Sequence, residues 1–222
     1  MALSGLDIYK LLPKTNCRKC GFATCLAFAM QLAKKAVSID KCPYLSAEAK
    51  QLLEASSQPP IKLVTIGTGE NRVEVGNETV MFRHEEKFHH PTALGFIIED
   101  TLSAKEIEEK VKNINQLKFE RVGQKLEVNL IAIRQNAGKE KFIQAVKLIS
   151  GISDLGLVLM SDDLAALKAG MDLVKARKPL IFHATKENLS GFAALAKEYA
   201  VPLVVTAADL ETVSSMTKEL NN

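Results

Sequence analysis

Leu155-Gly156-Leu157-Val158-Leu159-Met160-Ser161-Asp162-Asp163 is the stretch that decides the fold. An unbroken apolar run of this length is too short for a core helix, and it stops at polar residues that cap helices. It therefore reads as a strand buried on both faces, as strands of parallel sheets are. Asp162 or Asp163 starts a helix that runs to Ala176. Working outward, the same unit recurs. Thr92–Glu99 precedes a helix over Ser103–Ile114, opened by the capping box of Ser103 and Glu106. Leu126–Arg134 precedes a helix over 139–150, Pro179–His183 one over Asn188–Tyr199, and Pro202–Thr206 one over Asp209–Leu220. Five β/α units predict an α/β fold with a parallel sheet. A closed barrel of this kind needs eight such units. The expected architecture is thus either an incomplete (β/α)8 TIM-type barrel or an open doubly wound sheet.

Ahead of these units, Ser56-Ser57-Gln58-Pro59-Pro60 reads as a linker, because prolines and small polar residues end helices. Lys62–Gly67 and Arg72–Phe82 read as a β-hairpin around Gly67-Thr68-Gly69-Glu70-Asn71. The glycine pair lacks the third glycine and the following helix of a dinucleotide loop, so a turn is the better reading. The expected organisation is a four-cysteine domain at 1–57, a linker and hairpin at 58–91, and a partial barrel at 92–222.

The four cysteines of the chain are confined to Asn16-Cys17-Arg18-Lys19-Cys20-Gly21-Phe22-Ala23-Thr24-Cys25 and Cys42-Pro43. Clustered thiols in a reducing compartment are more often metal ligands than disulfides. Gly21 can take the positive φ that folds a chain back around a metal. Cys25 falls in the first turn of a helix, whose unpaired N–H groups and positive dipole end favour a thiolate. That helix carries an apolar stripe of Ala23, Leu26, Ala27, Met30, Leu32, Ala33 and Ala36, and Leu26, Phe28 and Met30 either shield the site or form a small core. Short helices are expected on either side, over Leu6–Leu12 and from Ser46 to Ala55. Zinc is the rival occupant. Zinc sites show two close Cys pairs or a Cys pair with a His pair, whereas here the last Cys stands alone and all four histidines lie beyond residue 83. A two-plus-one-plus-one spacing ending in Cys-Pro favours an iron–sulfur cluster, [4Fe–4S], held by Cys17, Cys20, Cys25 and Cys42.

Composition sets outer limits. Hydrophobic residues make up 47% of the 222 and charged residues 25%, ordinary for a globular protein with a real core. No leader-like segment opens the chain and no apolar run nears the roughly 20 residues of a membrane helix, so a cytoplasmic protein is expected. The net charge of +3 is too small to imply nucleic acid. Residues 1–50 hold eight Lys or Arg against Asp7, Asp40 and Glu48, a local +5 that either offsets an anionic cluster or is a solvated face. Among polar residues at the strand ends, Asp162, Asp163 and Asp209 read as helix caps and His183 as structural. No acid/base pair, nucleophile or phosphate loop stands out as catalytic.

Leu12-Pro13-Lys14-Thr15-Asn16-Cys17-Arg18-Lys19-Cys20-Gly21-Phe22-Ala23-Thr24-Cys25, with Asp40-Lys41-Cys42-Pro43-Tyr44, closely resembles the cluster domain of the large (gamma) subunit of the corrinoid/iron–sulfur proteins of acetyl-CoA synthase/decarbonylase systems. The likeness continues through Glu78–His90, Arg121-Val122-Gly123-Gln124, Ala132-Ile133-Arg134 and Leu157–Asp163. It implies a [4Fe–4S] domain, a (β/α)8 barrel and a corrinoid-binding domain, of which only the N-terminal half falls within these residues. It implies a corrinoid that carries a methyl group from a methylated pterin to acetyl-CoA synthase, with the cluster returning Co(II) to Co(I). The implied partners are the small subunit, acetyl-CoA synthase, the methyltransferase and a low-potential electron donor. A general [4Fe–4S] electron-transfer module is the alternative, since similar cysteine modules occur in membrane redox complexes. A shortened or split subunit is the expectation. The open edges of a five-stranded sheet then predict either low solubility or a partner that completes it.

Overall fold

In the computed structural model the described residues are 4–34, 36–57, 61–78, 84–85, 88 and 90–220. They form two compact units, Met1–Lys62 with Asn77–Lys87, and Leu63–Gly76 with Phe88–Asn222. The expected linker prolines and the end of the second hairpin strand lie outside the described residues, as does most of the family-like stretch after Glu78.

The first unit holds three helices, α1 (Gly5–Leu11), α2 (Cys25–Ala33) and α3 (Ala47–Ser57). Each starts at a hydroxyl that accepts an otherwise unpaired N–H: Ser4 from Asp7, Thr24 from Ala27, Ser46 from Ala49. Pro13 follows α1 closely and helps end it. Glycine at position 5 lets α1 approach α2, since a Cβ there would run into Met30 Sδ. Ile8, Leu12, Cys25, Phe28, Ala29 and Leu53 form the core. The expected stripe on α2 is therefore out of phase. Cys25, Phe28 and Ala29 face inward, while Leu26 and Met30 are 39% and 49% exposed.

The second unit is built on five parallel strands, β3 (Gly95–Glu99), β6 (Leu130–Arg134), β7 (Gly156–Met160), β8 (Leu180–Ala184) and β9 (Leu203–Val205), in that spatial order. Helices α4 (Ala104–Gln116), α5 (Lys139–Ile152), α6 (Leu164–Val174), α7 (Leu189–Tyr199) and α8 (Leu210–Leu220) follow them in turn. The predicted capping box of Ser103 and Glu106 starts α4, and Asp163 and Asp209 cap α6 and α8 by accepting the N–H groups of Ala165 and Thr212. Each strand pairs with the next in sequence, as in one arc of a β/α barrel. The strand order never reverses, so the doubly wound alternative is excluded.

Among the described residues the helices cover one face of the sheet and leave most of the other open. Register places Ile98, Ile133, Leu159 and Ile181 side by side, all buried under Val111, Phe142, Val146, Leu167, Met171 and Phe192 of the helices. Their neighbours on the other face, Ile97, Ala132, Val158 and Leu180, pair in the same way, yet Ile97 is 49% exposed and only Val158 is buried. Strands buried on both faces were expected, and β7 alone comes close.

Two antiparallel hairpins complete the unit. The first pairs β1 (Val64–Ile66) with β2 (Val73–Val75) across a single helical turn at Gly69–Asn71, and β2 stops short of the strand expected over Arg72–Phe82 where Gly76 and Asn77 take positive φ, 95° and 58°. Its Gly67 N–H donates to the Lys178 carbonyl at 2.9 Å, seating it at the N-terminal edge of the sheet. Nearby, the Arg177 guanidinium donates to the carbonyls of Ser150, Ser153 and Leu155 and so ties the end of α5 to the start of β7. The second hairpin, β4 (Lys118–Arg121) with β5 (Gln124–Glu127), was not expected; it takes Leu126 out of the strand foreseen at 126–134.

The turn of this second hairpin is Val122-Gly123, with φ of 52° and 72°. A two-residue turn with both φ positive suits Asn-Gly, and a β-branched residue there is strained by about 1–2 kcal/mol. Val122 is 95% exposed, so it recovers little by packing. Val122→Asn is expected to stabilise the unit by about 1 kcal/mol, read as a higher urea midpoint at unchanged slope.

Tyr199 Oη on α7 donates to Asp172 Oδ1 on α6 at 2.6 Å. This bond, assisted by partial burial and by the negative charges of Asp172 and Glu198, raises the phenol to about 12. The folded state holds that proton more tightly than the unfolded chain. The link therefore contributes fully below about pH 10, the ordinary tyrosine value, and is lost as pH rises toward 12. Phenolate absorbance is expected to show one of the three tyrosines ionising late, and Asp172→Ala is expected to bring it back toward 10.

Candidate metal centre

Cys17 and Cys20 sit in the loop between α1 and α2. Left-handed residues curl that loop: Lys14 at φ 58°, Asn16 at 49°, Arg18 at 62° and Gly21 at 86°. Glycine takes this conformation freely and asparagine readily. Lys14 and Arg18 take it at a cost of about 1 kcal/mol or more each, and such strain gathers where a loop clamps a ligand. The Gly21 N–H donates to the Arg18 carbonyl at 3.0 Å, closing the turn that carries Cys20. Cys25 is the first residue of α2, and its N–H donates to Asn16 Oδ1 at 2.8 Å. Asn16 thus ties the start of the loop to the start of the helix. Sequence reasoning missed this role, and the only signal was an asparagine in a loop that needs left-handed residues. Cys42 closes the short turn Ile39–Lys41, its N–H donating to the Ile39 carbonyl at 3.1 Å.

All four thiols are free. Cys25 is part of the buried core, and Cys20 and Cys42 pack against that core with Phe22, Leu32 and Ile39. Cys17 is exposed. The Lys19 backbone N–H, then the Thr15 hydroxyl, hold the Cys17 thiol below its ordinary range, which favours the thiolate that binds metal. Among the described residues no group of three or more His, Cys, Asp or Glu stands ready for a single metal ion. Four thiolates around one zinc would stand about 3.8 Å apart, given Zn–S bonds of about 2.3 Å. The donor set is all sulfur, and three of its members line one apolar cluster. That chemistry and dryness suit an iron–sulfur cluster, which is held by thiolates and tuned by exposure.

The C-terminal strand ends offer less. Arg134, Gln135, Asn136, Met160, Ser161, Asp162, Phe182 and His183 line a hollow of about 140 Å³. Asp209 is occupied in capping α8, as expected, and the Thr212 N–H holds its carboxyl below the usual range. The carboxylate that does organise this end is Asp100, which the sequence did not single out. Its Oδ1 accepts the N–H groups of Asn136 and Ala137 at 2.7 and 2.8 Å, joining two neighbouring loops. No described helix is long and apolar enough to cross a membrane.

Comparison with known proteins agrees with both units. Residues 12–44 match the family model "Putative Fe-S cluster", and residues 63–222 match that of the "CO dehydrogenase/acetyl-CoA synthase delta subunit". The corrinoid/iron-sulfur protein large subunit of Moorella thermoacetica is 45% identical over 221 residues, 99% of this chain and 50% of that protein. The acetyl-CoA decarbonylase/synthase complex subunit gamma of Methanothermobacter thermautotrophicus is 39% identical over 224 residues, 100% of this chain and 49% of that protein. The counterpart in Methanocaldococcus jannaschii is 37% identical over 96% of this chain. The chain spans about half the length of the curated relatives it matches.

A four-cysteine segment that matches an iron–sulfur family model, followed along the chain by a parallel β/α unit, marks an iron–sulfur protein of the α/β class. More particularly, the chain belongs to the CO dehydrogenase/acetyl-CoA synthase subunit family whose model spans residues 63–222, and it is similar in sequence to corrinoid/iron–sulfur large subunits.

Proposed function

We propose that Cys17, Cys20, Cys25 and Cys42 hold a [4Fe–4S] cluster in a domain of residues 1–57, and that this domain is the redox part of a corrinoid methyl-transfer assembly. The observation that carries it is the confinement of every cysteine to this one unit, with Cys20, Cys25 and Cys42 on a shared apolar wall. When bound, a [4Fe–4S] cluster supplies one electron at low potential. The protein's part is to hold and shield. Cys25 is held at the first turn of α2, Asn16 fixes the loop that carries Cys17 and Cys20, and buried Phe28 keeps water from the inner side.

A corrinoid in that assembly would be held outside these residues and would supply methyl carriage from a methylated pterin to acetyl-CoA synthase. The part of Cys17, Cys20, Cys25 and Cys42 would be to hold the cluster whose electron returns its cobalt from Co(II) to Co(I). The partners are a small subunit, the methyltransferase, acetyl-CoA synthase and a low-potential donor, all in the cytoplasm. The β/α unit is the scaffold, an arc of a (β/α)8 barrel. Its sequential strand order and the relatives' names support this reading.

Anaerobic reconstitution with iron and sulfide tests it. About four irons and four sulfides per chain are expected, with an EPR signal on one-electron reduction. Uptake of one zinc and no iron would overturn it.

A further inference from the structure

We infer that the Cys17 edge of the four-cysteine site is a docking face for an acidic one-electron carrier protein. The inference rests on the cluster assignment above and adds to it where electrons enter and what brings them.

The four cysteines differ sharply in exposure. Cys25 is buried, Cys20 and Cys42 are half-buried, and Cys17 is exposed. Electron transfer slows steeply with distance, so an approaching carrier gains most at the exposed ligand. Around that ligand the charge is of one sign. Residues 13–25 contain Lys14, Arg18 and Lys19 and no carboxylate, and all three cations are exposed.

These cations differ from others in the same unit. Lys10 is paired with Asp7 at 2.9 Å and Lys50 with Asp40 at 2.6 Å, so the two aspartates of the unit's first fifty residues pair with cations outside residues 13–25. Lys14, Arg18 and Lys19 form no ion pair among the described residues. Lys14 instead stands over the Tyr9 ring at 5.7 Å and Lys19 over the Tyr44 ring at 5.2 Å. A ring holds an ammonium by its quadrupole without cancelling its charge. Two of the three cations are thus steadied in place and left electrostatically open. Offsetting the charge of a bound cluster does not require cations that are exposed and unpaired in the loop of its most exposed ligand. Recruiting an anionic surface requires both.

The step balances simply. The carrier's reduced iron–sulfur centre loses one electron, the site behind Cys17 gains one, and no bond or proton moves.

The test uses the full chain, reconstituted with iron and sulfide, and a small [4Fe–4S] ferredoxin of strongly negative net charge as probe. Reduction is followed by stopped-flow absorbance. At low ionic strength, Lys14→Glu/Arg18→Glu/Lys19→Glu is expected to slow reduction by at least about tenfold. The gap should close near 1 M salt, where the screening length falls to about 3 Å. With a cationic viologen radical as reductant, the same variant should react as fast as the parent or faster. Equal slowing with both reductants would mean that the charges only tune the site, and would overturn the inference. So would an unchanged rate with the ferredoxin. Lys14→Glu/Lys19→Glu, which keeps Arg18 in its left-handed turn, must show the same sign of effect should the triple variant assemble poorly. Failure of the parent chain to take up iron counts against the cluster assignment itself, a separate result from loss of salt dependence in an assembled protein.

Discussion

Cys25→Ser is expected to leave the chain without a stable iron–sulfur cluster, with iron falling from about four per chain to below about one and the reduced-state EPR signal gone. Several effects act together at this residue. Serine offers a hard oxygen that stays protonated, where iron–sulfur clusters select soft thiolate. Cys25 is also the most buried of the four, placed at the start of α2 and locked there by Asn16. A neighbouring donor cannot move in to replace it, because the adjoining positions are taken by Phe28, Ala29 and Leu53 of the core. The serine hydroxyl in that core would also lack a strong partner, costing about 1–3 kcal/mol. Cys17→Ser makes the useful contrast. Cys17 lies on the exposed loop, where water can complete a defective site. Its variant is expected to bind iron but to lose it faster in air. Circular dichroism should show the β/α helices intact in both variants. Equal iron content in the parent and Cys25→Ser would remove Cys25 from the ligand set.

The two units were not equally readable in the sequence. The five β/α repeats were legible because parallel strands are near-continuous apolar runs, and because their helices open at recognisable caps such as Ser103 with Glu106. The β4–β5 hairpin was not. Lys-Phe-Glu-Arg and Gln-Lys-Leu-Glu carry one apolar residue each, and Val-Gly stands where Asn-Gly would have signalled a turn. On α2 the difficulty was the reverse: nearly every residue is apolar, so two stripes compete. The one through Cys25, Phe28 and Ala29 won because it faces α1. The exposed half of the sheet was hidden for a related reason. Ile97 and Ile98 look alike in sequence, and only register shows that one lies under the helices and the other does not. At the candidate metal centre the cysteine spacing was plain, whereas the contacts that hold the loop were not. Asn16 reaches nine residues along the chain to the Cys25 N–H. The contact between Asp100 and Asn136 spans 36 residues and exists only because β3 and β6 are neighbours.

Phe142→Ala is expected to destabilise the second unit by about 3–5 kcal/mol, a large part of the roughly 5–15 kcal/mol typical of a whole domain. Phe142 lies in α5 and is fully buried among the side chains that join the sheet to its helices. The contact that makes the site rigid is with α6. Gly170 lies against the Phe142 ring, and a Cβ there would come within 3.0 Å of Cε1, with Leu159 and Val146 just behind. The two helices are close because one position is glycine and the facing one is a flat ring, so truncating the ring opens a cavity that packed neighbours fill only in part. The pair should also be coupled. In the parent chain, Gly170→Ala gains about 1 kcal/mol of helix propensity but overpacks the ring at a cost of about 1–3 kcal/mol, so it is expected to be neutral or destabilising. In a Phe142→Leu background the new methyl group has room, and the same substitution should become stabilising. Urea denaturation of the four proteins of this cycle measures the coupling directly. Additive effects would show that α5 and α6 are held apart by something other than the ring of Phe142.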